Sequence, residues 1–247
     1  MIILLALAAL AQQMKPEDTE AWTPVPPIVT PGPAIPSPPP SDARALLGSS
    51  TLAEWESMDG SPAGWTIQSG VMTVKKGTGN IRTKRSFGSY QLHLEWRIPL
   101  GIKGDGQGRG NSGLFLASTG DGDAGYELQI LDSYNNKTYV NGQAGSVYKQ
   151  FAPLANAMRG PGQWQTYDVV WNAPAFKADG TLARPARLTA FHNGVLILDN
   201  VVLAGETAWQ GKPEYKPHGR SPIKLQDHGD PSAPISFRNI WIRELAD

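Results

Sequence analysis

Cysteine is absent from the 247 residues, which excludes a disulfide framework, thiol catalysis, a cysteine-ligated zinc site and a lipid-modified cysteine anchor. Stability must come from packing. Net charge is absent too: lysine plus arginine and aspartate plus glutamate number 22 each. No global field therefore attracts nucleic acid, and no basic run interleaves with aromatics, so nucleic acid is not an expected partner. His93, His192, His218 and His228 are scattered, without the paired spacing of a helical zinc site. No internal repeat occurs, and no long segment with a 3.6-residue period follows residue 60. The apolar stretch Ile2 to Ala11 is too short to span a bilayer.

That stretch reads instead as a signal peptide over residues 1–11. Ala9-Leu10-Ala11 supplies a small-x-small cleavage pattern, although the usual positive n-region is missing. Export to the periplasm or the exterior is the expectation. Residues 12–41 read as a disordered proline-rich linker, dense from Trp22 to Ser41 and ending in Pro38-Pro39-Pro40. Such composition favours extended polyproline II geometry and makes no core. A ligand for a proline-recognising domain is the other reading.

The folded domain is expected over residues 42–247, with a short helical or irregular segment around Ala43 to Trp55. The 40% hydrophobic content of the whole chain is enough for a real core. Tyr90 to Pro99 alternates, with Leu92, Leu94, Trp96 and Ile98 on one face and His93, Glu95 and Arg97 on the other. Further strand signals are Val71 to Val74, Gly113 to Ala117, Gln165 to Trp171, Ala186 to Phe191, Val195 to Leu198 and Ile235 to Leu245. Asn193-Gly194 marks a hairpin. Short strands punctuated by glycine and proline predict an all-β antiparallel sandwich of about a dozen strands.

Residues 125–132, Gly-Tyr-Glu-Leu-Gln-Ile-Leu-Asp, place Glu127 and Gln129 on one side of a strand and Leu128 and Ile130 on the other. A bulge at Ile130-Leu131 would return Asp132 to the face of Glu127. Without it, the segment is an ordinary strand with a solvated face and an aspartate opening the next turn. The loops Asp121-Gly-Asp123 and Asp105-Gly106 offer oxygens to calcium or another divalent cation, or are plain turns.

Several motifs occur in order: Glu95-Trp96-Arg97, Gly110-Asn111-Ser112-Gly113, Gly125 to Ser133, Gly162-Gln163-Trp164, His192-Asn193-Gly194, Leu225 to Gly229 and Phe237 to Ile240. Over about residues 51 to 245 the chain resembles the domain of unknown function 1080 family, described as 3-keto-glycoside lyase/hydratase or 3-keto-disaccharide hydrolase domains. The resemblance implies a concanavalin-like jelly roll of two curved antiparallel sheets holding an oligosaccharide or glycoside. It is also similar to laminarinase-type glycosidases, whose Glu-x-Asp-x-x-Glu here becomes Glu127-x-Gln129-x-x-Asp132.

A retaining glycosidase needs two carboxyl groups about 5 Å apart, and Glu127 with Asp132 would supply them. Gln129 in the middle favours another route. The family implies a sugar ketone at C3 that acidifies the C2 hydrogen, so a base removes it, the aglycone leaves C1, and water adds to the enone. The implied catalytic set is Glu127, His228 and Asp132, with Glu127 or His228 as base and His228 preferred. Asp227 would orient the imidazole or hold a cation. Glu95, Arg97 and Asp132 would hold hydroxyls or the oxyanion, and Asn111 would present an amide to the ligand.

Gln129 and Gln226 join the binding set, and Arg238 buttresses it. Tyr126, Tyr134, Tyr148, Trp164 and Trp209 are candidate aromatic platforms, while Trp96, Trp171 and Trp241 look structural. Glycine-rich Leu100 to Gly110 reads as a mobile rim loop, a potential lid. Gln165, Ala117-Ser118 and Leu198 depart from residues common in the family, which points to a different sugar or to lost activity. A non-catalytic carbohydrate-binding jelly roll is the alternative from another functional class.

Overall fold

The computed structural model describes residues 14–246; the expected leader at residues 1–11 lies outside them. Two antiparallel sheets face each other. The larger runs in the order Val195–Val202, Arg187–His192, Trp164–Asn172, Tyr90–Arg97, Ser236–Glu244, Val71–Thr73 and Thr66–Gln68, with Arg44–Ala45 also paired to Ser236–Glu244. The smaller runs Trp55–Ser57, Ile81–Thr83, Lys224–Leu225, Ser112–Phe115 and Glu127–Ile130. Apart from the hairpins at its two ends, neighbours in the larger sheet come from distant parts of the chain, which is the jelly-roll connectivity. Ala43 to Trp55 is not helical; it contributes the short strand Arg44–Ala45 and opens another at Trp55.

Period-two patterning decides what each sheet buries. Leu92, Leu94, Trp96 and Ile98 face inward against Leu114, Leu128, Ile130 and Leu225. Two tyrosines bridge the layers: Tyr167 donates to the Gln129 carbonyl at 2.7 Å and Tyr90 to the Leu116 carbonyl at 2.6 Å. A buried phenol needs such a partner, and each fixes one sheet's register against the other. Asn193 and Gly194 both adopt positive φ, 53° and 80°, and close the hairpin between Arg187–His192 and Val195–Val202. Trp96, Trp171 and Trp241 are all core or near-core, as their positions implied.

The proline-rich segment, expected to be disordered, is held along the domain from Met14 onward. Its prolines suit an extended path that makes few bonds of its own, and the domain supplies the partners. Asn141 accepts from Ala21 N and donates to Thr19 O, both at 2.9 Å. Asn156 pairs with Pro27 and Val29 through backbone bonds. Asn239 Nδ2 and Trp241 Nε1 each donate to Ser37 O at 3.0 Å. This strap explains why His93 and Glu95, on the outer side of an alternating strand, are nonetheless buried. Asn141→Ala should release its first turns, at a cost of about 1–3 kcal/mol for two lost bonds. Limited proteolysis checks this: cleavage before Pro24 should appear at protease doses the parent resists.

Candidate active site

The smaller sheet carries a cleft on its outer face. Leu128 and Ile130 are spent on the core, so Glu127 and Gln129 point the other way. Cross-strand register sets Lys224 beside Phe115 and Phe115 beside Glu127 on that face. The cleft holds about 430 Å³ of empty space, its open mouth included, and is lined by Asn111, Asp123, Glu127, Gln129, Tyr148, Thr207, Trp209, Gln226 and His228.

Glu127 is the most perturbed group in it. Its backbone is pinned on both sides, N–H to Thr207 Oγ1 at 2.9 Å and carbonyl to Tyr148 N at 3.2 Å, while its carboxyl group has no hydrogen-bond partner among the described residues. Burial, reinforced by the nearby Asp123 charge and opposed by Lys224, pushes its pKa up to about 8. At neutral pH Glu127 is therefore a carboxylic acid with a proton to give. Lys224 does not neutralise it by contact: its ammonium donates to the Gly122 and Ala124 carbonyls at 2.7 and 3.0 Å and lies 3.9 Å above the Phe115 ring. Burial lowers Lys224 to about 8, against the pull of Asp123, Glu127 and Glu206.

Gly113 makes room for this acid. A Cβ there would stand 2.5 Å from Glu127 Oε1 and 2.9 Å from the Phe115 ring. Gly113→Ala should therefore push the carboxyl group out of place and lower turnover at least tenfold, with overpacking costing about 1–3 kcal/mol. A kcat loss with an intact far-ultraviolet spectrum is the expected readout; an unchanged kcat would show that the carboxyl position is not critical.

His228 enters the cleft from the loop after Lys224–Leu225. Its Nδ1 lies 3.1 Å from Asp230 Oδ2. The Asp230 backbone N–H also points at Nδ1, from 3.2 Å, and fits the tautomer protonated at Nε2; the tautomer that donates Nδ1–H to the carboxylate is the one that leaves Nε2 as the basic nitrogen. Asp230 is itself well held: burial would raise its pKa, but His228, Ser232 and Lys76 outweigh that and keep it well below the usual carboxylate range. Lys76 Nζ also donates to the carbonyl of His228 at 2.7 Å, fixing the loop from below. Asp227, expected to orient the imidazole, does something else. Its Oδ2 accepts from Gly77 N and Gly79 N at 2.8 and 3.0 Å, tying down a glycine turn.

Two buried amides complete the lining. Gln129 Nε2 donates to Gln107 Oε1 at 3.1 Å, and Gln226 Nε2 donates to Asp123 Oδ1 at 3.0 Å. Those acceptors fix each amide, and both Gln129 Oε1 and Gln226 Oε1 are buried without a partner among the described residues. An orphaned acceptor beside an open cleft asks for a hydroxyl donor. Tyr148, hydrogen-bonded at 2.7 Å to Tyr139, is raised to about 12 chiefly by burial and retains its proton. Trp209 stands 63% exposed at the mouth, the best-placed platform for a sugar face.

The structure thus brings together Glu127, His228, Asn111, Gln129, Tyr148, Gln226, Trp209 and Asp123, and separates the rest. Asp132 is fully buried outside the cleft. No bulge returns it to the face of Glu127; the strand ends at Ile130, and Asp132 Oδ2 lies 2.9 Å from Arg109 Nε, close but out of line for a hydrogen bond. Glu95, Arg97, Trp164 and Arg238 lie on the outer face of the larger sheet, across the core from the cleft. Tyr126 is buried. The loop expected to be a lid is tied through Gln107, which donates to Thr138 Oγ1 and Gly142 O at 2.8 Å each. Among the described residues, no three or more His, Asp or Glu side chains group as a metal would require.

Sequence reasoning missed Asp230, Thr207, Lys224 and Gln107, and offered Asp123 only as an oxygen ligand for a cation. Asp230 had a signal, standing two residues beyond His228 in a turn. Lys224 had none: a lysine beside Leu225 in a two-residue strand gives no hint that it is buried.

Residues 42–243 match the family model described as the 3-keto-alpha-glucoside-1,2-lyase-like domain. Among solved structures, one from Parabacteroides distasonis ATCC 8503, provisionally named a glycosyl hydrolase, is 50% identical, with 93% of this chain and 96% of that chain covered and a TM-score of 0.80. Two further proteins of that organism with the same provisional name are 23% and 20% identical, each with a TM-score of 0.59. The first of these covers 82% of this chain and 99% of its own, the second 81% and 93%. These two show the shared fold alone. None of the curated proteins matches the chain.

Proposed function

The chain belongs to the family of 3-keto-alpha-glucoside-1,2-lyase-like domains, and from that premise we propose that its cleft cleaves 3-keto-glycosides by elimination across C1 and C2, followed by hydration. The observation that carries this reading is the pairing, in one cleft, of a protonated buried acid, Glu127, with an aspartate-oriented histidine, His228. Pairs of titratable groups whose surroundings assign them opposite roles are the mark of acid–base chemistry.

In this mechanism His228 Nε2 removes the C2 proton, which the C3 ketone acidifies. The electron pair delocalises onto O3, where the Tyr148 hydroxyl donates to the growing negative charge. Collapse of the enolate forms the C1–C2 double bond and breaks the bond from C1 to the aglycone oxygen. Glu127 protonates that oxygen as it leaves. Water then adds to C1, giving its proton back to Glu127, and the imidazolium returns its proton to C2. Gln129 Oε1 and Gln226 Oε1 accept sugar hydroxyls, and Trp209 covers one face of the ring. Conventional displacement finds weaker support, because Asp132 does not join Glu127 in the cleft.

The test is incubation with a 3-keto-glucoside and with its unoxidised parent. The proposal expects aglycone release and a transient enone absorbance from the first alone. Release from both at equal rates would instead favour hydrolysis, and saturable binding without release from either would favour a binding module. Running the same assay with and without chelator tests for a divalent cation. Export belongs to the same reading; fractionation of cells expressing the full chain tests it.

A further inference from the structure

Four residues that resembled substrate ligands lie away from the cleft, and their arrangement calls for an occupant of its own. On the outer face of the larger sheet, the Trp164 ring carries two guanidinium groups, Arg238 at 4.1 Å and Arg97 at 4.6 Å from its centre. Glu95 is consumed in holding this set: one oxygen accepts from Arg238 Nε at 2.6 Å and the other from Asn239 Nδ2 at 2.8 Å. The terminal nitrogens of Arg238 and the whole guanidinium of Arg97 have no hydrogen-bond partner among the described residues. Stacking on Trp164 and the Glu95 anchor fix two planar donor forks without using them up.

A groove opens beside them, with about 1240 Å³ of empty space including open solvent. Strap residues Ile28 to Ala34 form one wall, and Tyr134, Arg159, Trp164 and Arg238 form part of the other; no acidic residue lines it. Arg159 is structural, donating to Gly32 O at 2.8 Å and so holding the strap wall in place. Behind Glu95, His93 sits 2.7 Å from Asp168 Oδ1. Burial alone would lower the His93 pKa, but the Asp168 and Glu95 carboxylates raise it to about 9. Within this cluster Arg97, Arg159, Arg238 and protonated His93 outnumber Glu95 and Asp168 by two charges.

The geometry points to a second glycan site here, one that takes an oligosaccharide bearing carboxylate groups, such as a uronate chain. Free guanidinium forks match a carboxylate in two-point fashion, and the ring of Tyr134, 44% exposed, offers a sugar face a place to pack. The choice of a sugar as carrier rests on the carbohydrate-active family. The carboxylate rests on the arginines alone. The strap then has a reason to be ordered, since without it the groove has one wall.

Calorimetry on the full chain with a tetramer of galacturonic acid tests this, read by binding and not by turnover. The acid tetramer should bind saturably, its methyl ester at least tenfold more weakly. Arg97→Gln with Arg238→Gln should weaken the acid tetramer at least tenfold and leave 3-keto-glucoside turnover unchanged, while Glu127→Gln should bind it as the parent does. If the double variant does not fold, Arg97→Lys with Arg238→Lys keeps the charge and loses the fork, and the same loss is expected. Equal affinity for acid and ester, no saturable binding, or loss of binding in Glu127→Gln would overturn the proposal. A sulfated tetramer of sugars that carry no carboxylate, if it binds tighter than the acid tetramer, would overturn the carboxylate assignment. Uronate binding that persists in a protein inactive on 3-keto-glucosides would leave this site standing and remove the elimination reading.

Discussion

Glu127→Gln is expected to lower turnover of a 3-keto-glucoside by roughly a thousandfold and, at the same time, to make the protein harder to unfold at neutral pH. Both effects come from one fact: the structure buries this carboxyl group with no hydrogen-bond partner among the described residues and raises its pKa from 4.5 to about 8. The folded state holds the proton more tightly than the unfolded chain does. Stability from this group is therefore complete below about 4.5 and is lost progressively as pH rises to about 8, by about 1.4 kcal/mol per pH unit. At pH 7 the neutral amide escapes that loss, so the variant should gain on the order of 3 kcal/mol. The parent and variant melting curves should converge near pH 4 and separate toward pH 8. A general acid must also be protonated to act, so the parent's kcat should fall as pH rises through about 8. Asp123→Asn removes a neighbouring charge that raises Glu127, and should move that fall to lower pH. A Glu127→Gln protein that is both active and less stable would refute the assignment.

What could be read from the sequence follows from what is local. The antiparallel sandwich was legible because alternation in Tyr90–Arg97 and Trp164–Asn172 and the Asn193-Gly194 turn each act over a few residues. The partition of Glu127 and Gln129 from Leu128 and Ile130 was legible for the same reason. Which outer face a residue occupies is not local. Glu95, Arg97 and Arg238 are polar positions on strands of one sheet and Glu127 is on a strand of the other, and alternation within a strand says nothing of which sheet that strand joins. Asp132 joins Glu127 only on the reading with a bulge, and the strand instead stops at Ile130, as the ordinary-strand reading has it. The strap was misread because polyproline segments make few bonds of their own; here the domain supplies them, through Asn141, Asn156, Asn239 and Trp241.

His228→Ala should lower turnover about as far as Glu127→Gln, by roughly a thousandfold, yet at a different step, and hydrogen exchange separates the two. In deuterated water the elimination route requires that the C2 hydrogen be removed before the aglycone departs. Glu127→Gln lacks the proton donor but retains the base, so it should wash deuterium into C2 of a 3-keto-glucoside, followed by proton NMR, without releasing aglycone. His228→Ala lacks the base and should show neither exchange nor release. Asp230→Asn keeps the imidazole but removes the carboxylate 3.1 Å from its Nδ1, so exchange and release should fall together by roughly ten- to a hundredfold with KM little changed. Asp227→Ala removes the acceptor of the bonds from Gly77 and Gly79, and should lower the melting temperature while leaving the exchange rate of the folded protein intact. Exchange that survives His228→Ala would move the base elsewhere in the cleft, and Asp123, whose carboxylate lines it beside Gln226, would be the residue to replace next.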